Sequence, residues 1–182
     1  MGKPTSGIAW KAATIAGVTY DLGHLHPCTW EVVIPGKGDK TDLVLKVNVS
    51  YSLHCFAREP KPGEEVRQDY WYEDSREKRV FCELRWELSK RLPEIIATLP
   101  DRRCMHTGHE EFITLEVIYQ DRTFEYAVFF TVTKAKKVEG AHLNLFVNSA
   151  HERHDPLQYK KPIKFHFILL NRYRGKQIKP PR

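Results

Sequence analysis

The chain has 182 residues, a net charge of +6, 41% hydrophobic and 29% charged residues. That is the length of one domain with enough apolar material for a core, which excludes a disordered or fibrous protein. No apolar run approaches the ~18 residues of a membrane span, and residues 1–17, interrupted by Lys11, lack the continuous apolar stretch of a signal peptide. A soluble cytoplasmic protein with no membrane partner is expected, and four scattered cysteines (Cys28, Cys55, Cys82, Cys104) with no CxxC pair fit a reducing compartment.

Within a single domain of 1–182, residues 1–17 carry no strong period and read as a flexible arm. Thr29 to Ile34 is a short strand, stopped by Pro35-Gly36-Lys37-Gly38. Leu43 to Phe56 alternates most clearly. Leu43, Leu45, Val47, Val49, Tyr51, Leu53 and Cys55 point one way, and Lys46, Asn48, Ser50, Ser52 and His54 the other. Asp74 with Glu77 three residues on resembles a helix N-cap. A helix over 75–99 follows, with Phe81, Leu84, Leu88 and Leu92 on one face and Pro93 opening its second part. Pro100 to Glu111 reads as a loop.

Four more strands are expected: Phe112–Tyr119, Thr123–Thr133, His142–Asn148 and Ile163–Tyr173, the first two joined across 120–122. The fold class is α+β, a twisted antiparallel sheet with one main helix packed on one face. Residues 75–182 form the helix-plus-sheet core, and 174–182 a basic tail. Alternation buries Leu45, Val47, Val49, Leu143, Val147, Phe165 and Phe167, and exposes His54, Asn144, Asn148, Lys164 and His166 on the opposite face.

Three clusters carry side chains suited to chemistry: 20–28 with His24 and His26, 52–56 with His54, and 148–155 with Ser149 and Arg153. His24 and His26 have H-x-H spacing and could join His54 or Cys28 around zinc, but no zinc-motif spacing is matched. The stronger reading has the imidazoles capping a loop, so neither metal nor cofactor is expected. His54 can take and return a proton. Ser149 and Arg153 could hold a phosphate, or simply shape a turn. Lys164, His166, Arg172, Arg174, Lys176 and Lys179 form a cationic strip at the C-terminus, suited equally to solvent and to a polyanion.

The order of a helix and then an antiparallel sheet over 75–182, small and basic, resembles the RelE-type, barnase–EndoU–colicin ribonuclease superfamily. The stretches YDLGHLHP and SLHCFARE also resemble an uncharacterised bacterial mobile-element family, which implies no mechanism. The first resemblance implies a metal-independent endoribonuclease, a toxin or phage-defence factor with a neutralising partner protein. Its catalytic set would be drawn from His24, His26, His54, Ser149 and Arg153, and RNA would lie along the C-terminal cations. The alternative is a non-catalytic module that binds nucleic acid or a protein. Oligomeric state stays open.

Overall fold

A computed structural model describes residues 7–107, 111–119, 123–136, 140–153 and 161–179. A short hairpin of β1 (Ala13–Ile15) and β2 (Val18–Tyr20) precedes β3 (Cys28–Ile34) and β4 (Leu43–Tyr51). Then come β5 (Ala57–Arg58), β6 (Trp71–Glu73) and β7 (Lys78–Phe81), which form a separate antiparallel sheet in the order β5-β7-β6. Two helices follow, α1 (Glu83–Ser89) and α2 (Leu92–Ala97), with Pro93 in the first turn of the second. The remaining elements are β8 (Arg103–His106), β9 (Glu111–Tyr119), β10 (Thr123–Lys134), β11 (Leu143–Arg153), β12 (Ile163–Lys164) and α3 (Phe165–Tyr173).

The main sheet has seven strands in the order β12-β8-β9-β10-β11-β4-β3, antiparallel at every pair except β11 with β4. This is an α+β fold. Alternation places Leu45, Val47 and Val49 of β4, Leu143, Leu145 and Val147 of β11, and Val128, Phe130 and Val132 of β10 in one core, all at most 1% exposed. Leu88 of α1, Leu92, Ile95 and Ile96 of α2, and Phe165, Ile168 and Leu169 of α3 bury into that same core. The helices therefore cover one face of the sheet. Among the described residues no helix is long and apolar enough to cross a membrane.

Several expectations need correction. The helix expected over 75–99 begins only at Glu83. Asp74 instead closes the β6–β7 hairpin, its Oδ1 accepting from the Arg76 and Glu77 amides at 2.8 and 3.0 Å. A carboxylate receiving two amides two and three residues ahead serves a turn as well as an N-cap. The expected loop 100–111 contains β8, and the strand expected over 163–173 pairs only at Ile163 and Lys164 before becoming α3. There Phe165, Ile168 and Leu169 follow helical spacing. Phe167, expected buried by alternation, is 53% exposed.

The ends are also firmer than expected. Trp10, Ala13 and Ile15, in the expected arm, are buried, and Trp10 Nε1 donates to the Tyr51 carbonyl at 3.2 Å. In the expected tail, Ile178 is 5% exposed. The core thus draws on the first half of the chain as fully as on 75–182.

Candidate functional site

Where the carboxyl ends of the parallel pair β4 and β11 separate, two of the three clusters meet. Ser52 N–H donates to the Val147 carbonyl at 2.9 Å, and the Ser52 hydroxyl donates to the Asn148 carbonyl. Carboxyl ends of parallel strands are a common place for ligands in α/β sheets, because strands diverge there. His54 sits in a tight turn over Leu53–Cys55, capped by Ser52, and not on a strand face as alternation implied. Its Nε2 bonds Glu77 Oε1 at 2.8 Å, and Glu77 Oε2 accepts from Arg79 Nε at 2.6 Å. Burial opposes ionisation of Glu77, but the bonds from Arg79 and His54 outweigh it and hold its carboxyl below the usual range.

Ser149 and Arg153, expected in a loop, lie within β11. The register passes from Phe130↔Val147 to Phe129↔Ser149, so Asn148 is an inserted bulge residue. Leu143, Leu145 and Val147 face the core before the bulge, and Ala150 and Glu152 face it afterwards. Ser149, His151 and Arg153 therefore turn to the opposite face, where the His151 ring stacks on Phe129 with centroids 5.4 Å apart. Burial pushes the His151 imidazole down from its ordinary value. Asn148 itself donates to Glu111 Oε1 at 2.6 Å.

The first cluster lies elsewhere. His24 Nε2 is 2.7 Å from Ser89 Oγ, and His26 Nε2 is 2.9 Å from the Trp10 carbonyl, to which it must donate. No hydrogen bond among the described residues links any two of His24, His26, His54, Ser149 and Arg153. Nor do the described residues contain a group of three or more His, Cys, Asp or Glu able to hold a metal. The zinc arrangement of His24, His26, Cys28 and His54 is not assembled. Burial raises the Cys55 and Cys104 thiols to about 12, which makes them packing groups and not nucleophiles.

A polar row went unanticipated. Glu116, Tyr126 and Glu152 are direct cross-strand neighbours on β9, β10 and β11, on the core face. Arg91 and Arg102 bind Glu116 at 2.9 and 3.0 Å. The Tyr126 hydroxyl and Glu152 Oε2 are buried and have no hydrogen-bond partner among the described residues. Burial holds the Tyr126 phenol firmly protonated. The signal available in the sequence was Glu116, a carboxylate in the buried phase of the 112–118 alternation. Tyr126 is 0% exposed, so no polymer substrate reaches it.

The cations converge better than the histidines do. A groove of about 390 Å³ lies between the end of β10 and the turn after α3, lined by Thr131, Val132, Thr133, Lys134, Arg172, Gly175 and Lys176. Three side chains there are cationic and two carry hydroxyls, and none of the described lining residues is acidic. Arg172 and Lys176 belong to the strip read from the sequence, while Lys134 was not expected. Gly175 has φ of +70°, the left-handed position that ends a helix, and Lys176 N–H returns to the Asn171 carbonyl at 2.8 Å. Arg174 and Lys179 are exposed nearby in sequence. Lys164 and His166 sit at the other end of α3, ~12 Å away at 1.5 Å per residue.

Fold and groove together define a basic α+β protein with a curled, mixed sheet and a groove lined by three cations beside the end of β10. The YjaZ family model matches residues 12–173, and the chain belongs to that family. It is 33% identical over 146 residues to Protein YjaZ of Escherichia coli (strain K12), covering 78% of each chain. No solved structure matches it.

Proposed function

We propose that the protein binds a phosphate polyanion, with RNA or another nucleic acid as its partner, along the groove of Lys134, Arg172 and Lys176. The observation that carries this reading is the composition of that groove: three cations and two threonines, with no acidic residue in its described lining. A phosphodiester offers the cations two oxygens that share one negative charge and accepts from the Thr133 hydroxyl, while the Thr131 hydroxyl donates to Asn148 Oδ1 at 3.4 Å. One effect opposes it. The groove adjoins the C-terminal end of α3, whose carbonyls carry about half a negative charge. The return bonds from Gly175 and Lys176 occupy two of those carbonyls, and the positive charges of Lys134 and Lys176 outweigh the remainder. The reading includes a cytoplasmic setting, in which Cys28, Cys55, Cys82 and Cys104 stay as free thiols. Fluorescence anisotropy with labelled single-stranded RNA tests it: three phosphate contacts give a slope of about −2 in log affinity against log salt. Binding that ignores salt would contradict it.

A second reading is the metal-independent endoribonuclease of the RelE-type, barnase–EndoU–colicin kind, acting as a toxin or defence factor with a neutralising partner. It draws on the His54–Glu77 pair, in which a partly buried imidazole is held by a carboxylate, as in many general bases. His54 would take the proton of a ribose 2′-OH as that oxygen attacks phosphorus. A second histidine would protonate the leaving oxygen, and Arg153 would steady the developing charge. RNA cleavage that survives EDTA and disappears in His54→Ala would uphold this reading. Absence of cleavage would leave binding alone.

A further inference from the structure

We infer that His106 is a positioning residue for the groove: its bond to Ile178 folds the C-terminal segment back and sets Lys176 beside Lys134 and Arg172. The inference rests on the polyanion reading for its purpose, though not for its geometry.

Residues 175–179 read GKQIK, with a glycine, two lysines and one apolar side chain, a composition that alone does not order a segment. Beyond the return bonds of Gly175 and Lys176 to α3, two contacts of Ile178 tie it to the sheet and core. The Ile178 side chain enters the core, and its carbonyl lies 2.9 Å from His106 Nε2 across 72 residues of sequence. A carbonyl only accepts, so Nε2 carries the proton and donates. His106 is 3% exposed. A buried imidazole N–H left without this acceptor has no water to turn to, which makes the bond costly to open.

The latch and the groove share one aromatic ring. His106 meets Phe112 edge-on, with centroids 5.2 Å apart at 77°, and the Arg172 guanidinium lies 6.0 Å from the centre of the same ring. Gly175 provides the left-handed turn, Ile178 is held three residues later, and Lys176 lies between the two fixed points. With its backbone fixed at both sides, Lys176 faces the groove without the entropic penalty of a loose tail.

The test compares the full-length protein with His106→Ala, His106→Gln and Ile178→Glu. Ile178→Glu releases the segment from its own side, without touching the sheet. Trypsin cleavage after Arg174 and Lys176 reports the latch, because cutting follows the population of the opened segment. His106→Ala and Ile178→Glu are expected to speed that cleavage roughly tenfold. Both should weaken RNA binding several-fold and lower the salt slope by about 0.7, one phosphate contact. Glutamine places an N–H donor near Nε2, so His106→Gln should restore slow cleavage and tight binding, which a merely space-filling role would not. Unchanged cleavage in both releasing variants overturns the latch. Faster cleavage with unchanged RNA affinity overturns the positioning role. If the wild type binds no RNA at any salt, the polyanion reading falls, whereas cleavage that responds to both variants still upholds the latch.

Discussion

His24 and Ser89 stand 2.7 Å apart, a histidine and a serine at hydrogen-bond distance, yet the pair is a strut. Ser89 is fully buried, and its hydroxyl donates to the Trp86 carbonyl at 2.7 Å, one turn back in α1. Its one proton is committed, so it accepts from His24 Nε2–H, which fixes that tautomer. The bond ties the 23–25 turn to the helix. Ser89→Ala should therefore lower unfolding free energy by about 1 kcal/mol in urea titrations and leave RNA binding untouched. A loss of binding at unchanged stability would mean that Ser89 faces ligand.

The pH dependence of stability carries a defined sign. Burial pushes the His24 imidazole below its ordinary 6.5, so the folded state resists a proton that the unfolded chain accepts. His24 therefore contributes fully above pH 6.5, and the contribution is lost as pH falls from there through its lowered folded value. His151 shifts in the same direction, again chiefly by burial. Urea titrations between pH 8 and 5 should show the wild type losing more stability on acidification than a His24→Gln, His151→Gln double variant. Equal losses would contradict the burial argument.

The Tyr126 hydroxyl is buried without a partner among the described residues. Replacing the tyrosine by phenylalanine removes a dehydrated polar group and keeps the ring. Tyr126→Phe should leave stability unchanged or raise it by roughly 1 kcal/mol. A loss above that would show that the hydroxyl has a partner in the folded protein.

Two phenylalanines separate the helical reading of 165–173 from the extended one. Phe165 is fully buried between Trp30 and Phe130, whereas Phe167 is half in solvent. Phe165→Ala should cost ~3–5 kcal/mol, and Phe167→Ala well under 1 kcal/mol beyond its helix-propensity gain. Similar large losses at both positions would restore the strand.

This segment shows how far the sequence was legible. Ile163, Phe165, Phe167 and Leu169 satisfy a period of two, while Phe165, Ile168, Leu169 and Arg172 satisfy a helical one. Gly175 as the stop signal was the feature that separates them. β10 was read correctly, and β4 as far as Tyr51, because only one register buries their apolar side chains; the strand expected to run on to Phe56 instead turns at Leu53–Cys55. The one-residue bulge at Asn148 could not be read. It extends β11 to Arg153 and reverses which side chains face inward, through backbone geometry that composition does not reveal. The histidines misled for a related reason. Spacing suggested one cleft, but His24, His26 and His54 each found a separate local partner in the fold. The basic strip was legible in Arg172 and Lys176. Lys134, from a distant strand, became part of the groove only through topology.

The most direct test of the groove is the salt dependence of RNA binding in the charge-reversed pair Lys134→Glu, Lys176→Glu, set against Lys40→Glu on the exposed β3–β4 loop. The wild type and the Lys40 variant should share a log–log slope near −2, and the double reversal should lose at least about tenfold in affinity with a markedly shallower slope. An unchanged slope and affinity in the double reversal would contradict the account, because the polyanion would then be held elsewhere on the molecule.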